Sequence, residues 1–333
     1  MSENVNNTMK KLKSIGIILP YFGKFPNYFN LWLKSCALNS TIDFYIFTDD
    51  RTSYDFPNNV HVTYLSFDDI KKRFDDSFNF SIVLPSAYKL CDFRPAYGYI
   101  FNEELSKYDY WGYCDCDLIF GNIRKFITED VLNLNDKIFQ RGHLSIIRNT
   151  PENNNIFKKK LDNKFLFKDV FQDEKSSIFD EKFYNDNGGI NGLFLDNGKE
   201  IFIDDNIVAD INIKHKFFHV NSDKSKDYIT SIFYFSKEEN NCGLYRYSCA
   251  KGNITQKEYI YIHLQKRKMN VQGYDKNDFF IIPNEFIKHK EIDKLELLKR
   301  FKRDSLFYPH YYMRRYFKFI KKISTTLKKN TIN

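Results

Sequence analysis

The sequence predicts an α/β protein built on a Rossmann-like mixed sheet flanked by helices, followed by a basic helical tail. Three observations predict it. The chain opens strand, helix, strand; apolar runs of strand length recur with helical segments between them; and 333 residues at 42% hydrophobic content suffice for a large core.

Lys13–Leu19 (KSIGIIL) is an apolar run of strand length that stops at Pro20 and Gly23, as a buried parallel strand feeding a loop would. Asn27–Leu38 (NYFNLWLKSCAL) has mixed helical spacing, and Ile42–Phe47 (IDFYIF) is a second strand ending in Thr48-Asp49-Asp50. Val60–Leu65 gives a third strand and Phe67–Phe74 a short helix. Ala87–Leu105 reads as a broken helical region leading into a strand over Tyr110–Cys116. Residues 149–184 are polar, with helical candidates such as NNNIFKKKLDNKF. After Gly188-Gly189-Ile190-Asn191-Gly192, LFLDNGKEIFI has the form of a hairpin turning at Asn197-Gly198. Phe217–Val220 and Lys257–Leu264 are expected to return to the sheet. The expected division is a domain over residues 1–290 and a tail over 291–333.

Composition narrows the function classes. Cys36, Cys91, Cys114, Cys116, Cys242 and Cys249 are scattered, without the paired CxxC pattern of structural zinc sites. The apolar run SIGIILP is too short for a signal-peptide core or a membrane span, so a cytosolic chain with reduced thiols is expected. Net charge is +8, and Pro309–Asn333 holds Arg314, Arg315, Lys318, Lys321, Lys322, Lys328 and Lys329 with no acid. Neither GxGxxG nor GxxxxGK[ST] occurs, which removes a dinucleotide fingerprint and a Walker loop.

The stretch DYWGYCDCDLIFGNI (109–123) keeps two acids, Asp115 and Asp117, after an aromatic run. Strand alternation aims both at one face. Two carboxylates held that close repel, and a divalent cation between them, or solvation of the strand end, relieves the repulsion. Mg²⁺ and Mn²⁺ prefer hard oxygen ligands and are commonly held by one or two carboxylates together with substrate phosphates. A polar strand terminus is the competing account.

WGYCDCDLIFGNI, with LPYFGKFPNYFNLWLKSC, FTDD, YKLCDFRPAYG and RGHLSIIRNT in this order, resembles a family of bacterial capsule and surface-polysaccharide glycosyltransferases and, more distantly, the nucleotide-sugar transferases of the GT-A fold. The resemblance spans roughly residues 12–270. It implies a GT-A sheet, a hexosyltransferase-type activity, Mn²⁺ or Mg²⁺ bound through the D-x-D, and a sugar nucleotide, UDP-linked by preference, as donor. Asp117 would ligate the metal, and Asp115 metal or ribose. A further ligand is often a later histidine; here it is His263 in YIYIHLQKRKM, followed by Lys266, Arg267 and Lys268 as partners for the diphosphate. A packed strand histidine and a solvated turn are the alternatives.

Other donor-site candidates are Pro20, Tyr21, Phe22 and Gly23 at the end of the first strand and Asp49 at the end of the second, against a plain turn. Lys89, Asp92 and Arg94 are candidates beside the donor's sugar and diphosphate, against a structural ion pair between Asp92 and Arg94. For an inverting reaction the base candidates are Asp180, Glu181 and Asp186 in FDEKFYNDNGGI, against a solvated loop. Arg141, Gly142 and His143 are candidates for lining an acceptor pocket. The acceptor is expected to be a saccharide or a lipid-linked oligosaccharide. The tail places Tyr312, Tyr316, Phe319, Ile320, Ile323 and Leu327 at three- and four-residue spacing among cations, a pattern suited to an anionic membrane surface, against a helix packed on the domain with a solvated basic face. Two rival readings are a nucleic-acid-binding protein, which the concentration of cations in the tail disfavours, and a metal-dependent phosphohydrolase, which would need more clustered ligands.

Overall fold

A computed structural model of the chain describes residues 12–181, 189–211, 231–239, 241–250, 253–272 and 278–288, with scattered positions between 293 and 320. Its first eight strands are β1 (Ile15–Tyr21), β2 (Ile42–Thr48), β3 (Val60–Tyr64), β4 (Tyr110–Cys114), β5 (Leu118–Phe120), β6 (Lys137–Ile138), β7 (Leu144–Arg148) and β8 (Ile201–Phe202). The remainder are β9 (Val208–Asp210), β10 (Ser231–Ser236), β11 (Gly243–Ala250), β12 (Asn253–Tyr259), β13 (Tyr261–His263), β14 (Asn270–Gln272), β15 (Asp278–Ile282) and β16 (Glu285–Lys288). Two ten-residue helices are α1 (Phe29–Leu38) and α2 (Phe67–Asp76). The chain divides into two compact units. The first comprises Met1–Lys24, Asn39–Cys116 and Ile127–Asp204; the second comprises Phe25–Leu38, Asp117–Phe126 and Asp205–Asn333.

The first unit holds a seven-stranded sheet in the order β3-β2-β1-β4-β7-β6-β8. Strands β3, β2, β1 and β4 are parallel, which is why IGIILPY and YWGYC are apolar on both faces rather than alternating. From β1 the chain moves outward through β2 and β3, then returns to place β4 on the other side of β1. The gap between the carboxyl ends of β1 and β4 is therefore a topological switch point, where open α/β sheets bind ligands. Helix α2 begins because Ser66 accepts from the Asp69 N–H while Asp69 accepts from the Ser66 N–H, a reciprocal cap. Its Ile70 and Phe74 enter a core rich in aromatic rings, where Phe93 stacks on Phe171 with centroids 4.1 Å apart. Each such fully buried side chain contributes roughly 1.5–3 kcal/mol.

The second unit holds a three-stranded sheet, β5-β13-β9, and a six-stranded sheet, β12-β11-β10-β15-β16-β14. Helix α1 belongs to this unit, with Trp32 tilted against Phe120 at 6.0 Å.

Several sequence expectations are corrected. The strand expected over Tyr110–Cys116 ends at Cys114, and Cys116-Asp117 is a turn that redirects the chain into β5, so strict alternation does not orient Asp115 and Asp117. The expected hairpin in LFLDNGKEIFI is instead the end of a helix, Gly189–Asp196. Ile190, Leu193 and Phe194 are fully buried at helical spacing, and Asn197-Gly198 closes the helix. Gly198 N donates to Leu195 O and Lys199 N to Phe194 O, with Gly198 at φ +66, the Schellman arrangement. Lys257–Leu264 joins the second unit's sheets, not the first sheet. NNNIFKKKLDNKF forms only short turns, Pro151–Asn154 and Ile156–Lys158. Phe217–Val220 lies outside the described residues, as does most of the 291–333 tail. Within that tail, Met313, Tyr316, Phe317, Phe319 and Ile320 are helical and exposed. No helix among the described residues is long and apolar enough to cross a membrane.

Candidate functional site

In the second unit the three-stranded sheet sets the register of the chemistry. Strand β13 pairs antiparallel with β5, placing His263 opposite Leu118, the residue after Asp117. On its other side β13 pairs parallel with β9, placing His263 opposite Asp210. His263 Nδ1 lies 2.9 Å from Asp210 Oδ1, and Gln265 Nε2 donates to the same oxygen at 2.7 Å. The other ring nitrogen, Nε2, stands 3.5 Å from Asp117 Oδ1. The loop after β13 grips Asp117 twice, Leu264 N donating to its carbonyl at 3.0 Å and Lys266 N to Oδ2. To make that turn, Gln265 and Lys266 adopt φ +51 and +56, a left-handed pair of non-glycine residues of the kind concentrated at functional sites.

Burial pushes the Asp117 carboxyl up, but His263 and the Lys266 N–H outweigh it and hold it down, at about 2. Burial likewise lowers His263, and the carboxylates of Asp117 and Asp210 more than offset it, raising it to about 10. Asp117 Oδ1 is nevertheless buried without a hydrogen-bond partner. A buried carboxylate oxygen facing an imidazole nitrogen, with its second oxygen already oriented, is a donor set that fits Mn²⁺ or Mg²⁺.

In the first unit the segment Ala87–Ala96 is a 3-10 helix, so residues three apart stack in rows. Leu90, Phe93 and Ala96 form the row buried in the core. Lys89 and Asp92 form a second, also buried: Lys89 Nζ donates to Asp92 at 2.8 Å, Val170 O at 2.9 Å and Lys175 O at 2.5 Å. Asp92 also accepts from the N–H groups of Ser177 and Phe179. These two side chains thereby fasten segment 170–179, and Asp92 pairs with Lys89 and not with Arg94, the ion pair weighed against its donor-contact reading.

The third row, Tyr88, Cys91 and Arg94, runs from an exposed ring to a charged cluster. Arg94 Nη2 bonds Asp115 Oδ1, while Nη1 donates to Asp180 Oδ2 at 2.8 Å and to Gly142 O at 3.0 Å. Burial opposes the Arg94 charge, and Asp115 and Asp180 outweigh it. Burial raises Asp180 to about 7, the neighbouring Glu181 carboxylate adding to the rise and Arg94 opposing it. Glu181 accepts from Gly142 N at 2.7 Å. The loop through Gly142 is held at nearly every backbone group: Lys137 Nζ on Phe139 O, Asn191 on Gln140 O, Ser145 Oγ on Arg141 O, and Asp115 N on His143 O. Asp180 and Glu181, the described base candidates, are thus engaged in positioning this loop and Arg94. Asp186 lies outside the described residues.

At the carboxyl ends of β1 and β2, Gly23 N donates to Asp49 Oδ1 at 2.7 Å, and Gly23 has φ +92. The end of β1 at Pro20 and Tyr21, the following Phe22 and Gly23, and Asp49 after β2 are therefore joined, with Phe22 edge-on to Phe67. Beside them Lys24 Nζ is drawn 2.6 Å from the buried Asp50 carboxylate.

Residues 17–290 match the profile of a family of unknown function, DUF6625. The chain belongs to DUF6625. No curated protein matches its sequence. Among solved structures, this DUF6625 chain is similar to the galactosyltransferase LgtC in complex with donor and acceptor sugar analogs, at 12% identity and TM-score 0.32, over 59% of this chain and 75% of that one. It is also similar to the glycosyltransferase GlyE of Streptococcus pneumoniae TIGR4. The apo form gives 12% identity and TM-score 0.26, over 48% of this chain and 44% of that one. A second GlyE structure gives 13% and 0.24, over 50% and 45%. These neighbours are glycosyltransferases.

Within the DUF6625 chain, the structure brings His263 to Asp117, two residues grouped above as metal ligands, and Arg94 to Asp115, a pairing not anticipated from the sequence. It leaves Lys266 and Lys268 exposed but buries Arg267, whose Nη1 donates to Asn284 at 2.7 Å, so the basic triplet is not one surface. Sequence reasoning missed Asp210, Gln265 and Lys137. The signal for Asp210 was faint: VADI is a short apolar run interrupted by one acid. Lys137 gave none, since a single lysine before IFQ resembles any strand edge.

Proposed function

We propose that this DUF6625 protein is a metal-dependent glycosyltransferase of the GT-A type, moving a sugar from a nucleotide-diphosphate donor, a UDP-sugar by preference, to a saccharide or lipid-linked acceptor in bacterial surface-polysaccharide assembly. The observation that carries the reading is the buried Asp117 Oδ1, without a hydrogen-bond partner and facing His263 Nε2 at 3.5 Å. Asp117 and His263 hold the cation, and Asp115, two residues earlier in the chain, is the further carboxylate that the D-x-D spacing supplies. When bound, a divalent cation neutralises charge on the departing diphosphate. Lys266 and Lys268 add positive charge after β13. The joined loops at Gly23 and Asp49 take the nucleoside, Asp49 accepting from a ribose hydroxyl or base N–H. Arg94, held by Asp180, orients Asp115. The protein works at the cytoplasmic face of the inner membrane, where the cations of the tail meet anionic lipid.

The test is incubation with Mn²⁺ and a panel of nucleotide sugars, reading nucleoside diphosphate release and thermal shift. Metal-dependent stabilisation by UDP or GDP, with turnover that disappears in Asp117→Ala, is the expected result. No response to any nucleotide, with tight salt-sensitive binding of single-stranded nucleic acid, would overturn the reading.

A further inference from the structure

We infer that Asp210 is a positioning residue that fixes His263 for metal binding; this rests on the glycosyltransferase reading above only in taking Asp117 and His263 as the metal-holding pair. Three observations carry it. The parallel register of β9 and β13 makes Asp210 and His263 direct cross-strand partners, so their proximity is built into the sheet and not left to a loop. Asp210 Oδ1 lies 2.9 Å from Nδ1, and an ionised carboxylate accepts but does not donate, so Nδ1 is the nitrogen that carries hydrogen. The same oxygen takes a second bond from Gln265 at 2.7 Å, which stops the carboxylate from swinging away.

The consequence lies at the opposite nitrogen. With Nδ1 committed to Asp210, Nε2 is the nitrogen that can ligate once a cation displaces its proton, and it is the one that faces Asp117 Oδ1. Rotating the ring by half a turn would exchange nitrogens for carbons at both positions and break the Asp210 bond. A carboxylate behind a ligating imidazole also raises its basicity, and loss of such a partner typically weakens metal binding by about 10–100-fold. Asp210 Oδ1 is already occupied by Nδ1 and Gln265 Nε2, so it is assigned to His263 and not to the cation.

The experiment is Mn²⁺ titration of the full chain, read by electron paramagnetic resonance of free Mn²⁺, with no nucleotide or acceptor present. Asp210→Ala is expected to weaken Mn²⁺ binding by about 10–100-fold, and Asp210→Asn, which keeps an acceptor oxygen, to recover part of the loss. Nitrogen NMR of His263 supplies a second readout: the Nδ1–H form dominates the metal-free ring at alkaline pH in the native chain and loses that dominance in Asp210→Ala. Should the alanine variant not fold, the asparagine variant decides by the same titration, and native affinity there overturns the inference. If Asp117→Ala loses Mn²⁺ while Asp210→Ala binds as the native chain does, the inference fails and the reading of the metal pair stands. If the native chain takes up no Mn²⁺, both fall.

Discussion

At the scale of single residues, the least expected group is Lys137, a fully buried cation on the short strand β6. Burial lowers its ammonium to about 7, against the opposing pull of Asp180 and Glu181. The sign of the effect on stability follows. The unfolded chain keeps the proton up to the ordinary lysine range and the folded chain gives it up near pH 7, so the unfolded state binds more protons in between. Stability from this residue therefore rises as pH climbs from about 7 toward 10.4. Lys137→Met, similar in length and uncharged, should flatten that rise. Urea denaturation of both proteins at pH 6.5, 8 and 9.5 measures it; parallel curves would show that the ammonium is not suppressed. None of this was legible in the sequence, because a lysine's burial depends on neighbours brought together from residues 139, 145, 180 and 181. Asp117 and His263, by contrast, were legible as types, since acids and a histidine after strand-like runs are chemically conspicuous. Asp210 was not, because its role comes from a cross-strand register that no local pattern records.

At the scale of elements, the sequence and the structure agree where a segment's pattern is satisfied locally. Strands β1, β2 and β3 and helices α1 and α2 fall within a few residues of their expected bounds, because apolar runs and a reciprocal cap decide them without distant help. Disagreement arises where one signal serves two structures. Asn-Gly supplies a left-handed backbone, which suits a hairpin turn and a helix end equally, and the burial of Ile190, Leu193 and Phe194 decided for the helix. Two glycine substitutions separate conformational from steric demands. A Cβ on Gly198 meets nothing within 4 Å, but its φ is +66, so Gly198→Ala should cost about 1 kcal/mol through the backbone alone. On Gly112 the Cβ would stand 2.3 Å from Ser145 O, backbone of the adjoining strand β7, so Gly112→Ala should cost about 3 kcal/mol by forcing β4 and β7 apart. Denaturant midpoints measure both, and equal losses would contradict the distinction.

At the scale of the molecule, the presence of two compact units was not readable, since the second is assembled from three separated stretches and its strands look like any others in a list. Charge distribution was fully readable. Removing residues 309–333 takes away seven cations and no acid, reducing the net charge from +8 to +1. The truncated chain should therefore lose cosedimentation with phosphatidylglycerol vesicles, and the full chain should lose it as salt rises and the screening length shrinks. Retention of vesicle binding after truncation would contradict the assignment of lipid contact to the tail.

Asp117 leaves the ribosome early, yet the amide that orients its carboxylate belongs to Lys266, 149 positions later. Closing so long a span comes at an entropic cost that local contacts never meet, and contacts of this kind form late. A nascent chain therefore carries the acid through most of its synthesis without a fixed orientation. On the proposed reading, the carboxylate becomes ready for a cation only after residue 266 has been made and the loop that carries it has closed onto Asp117.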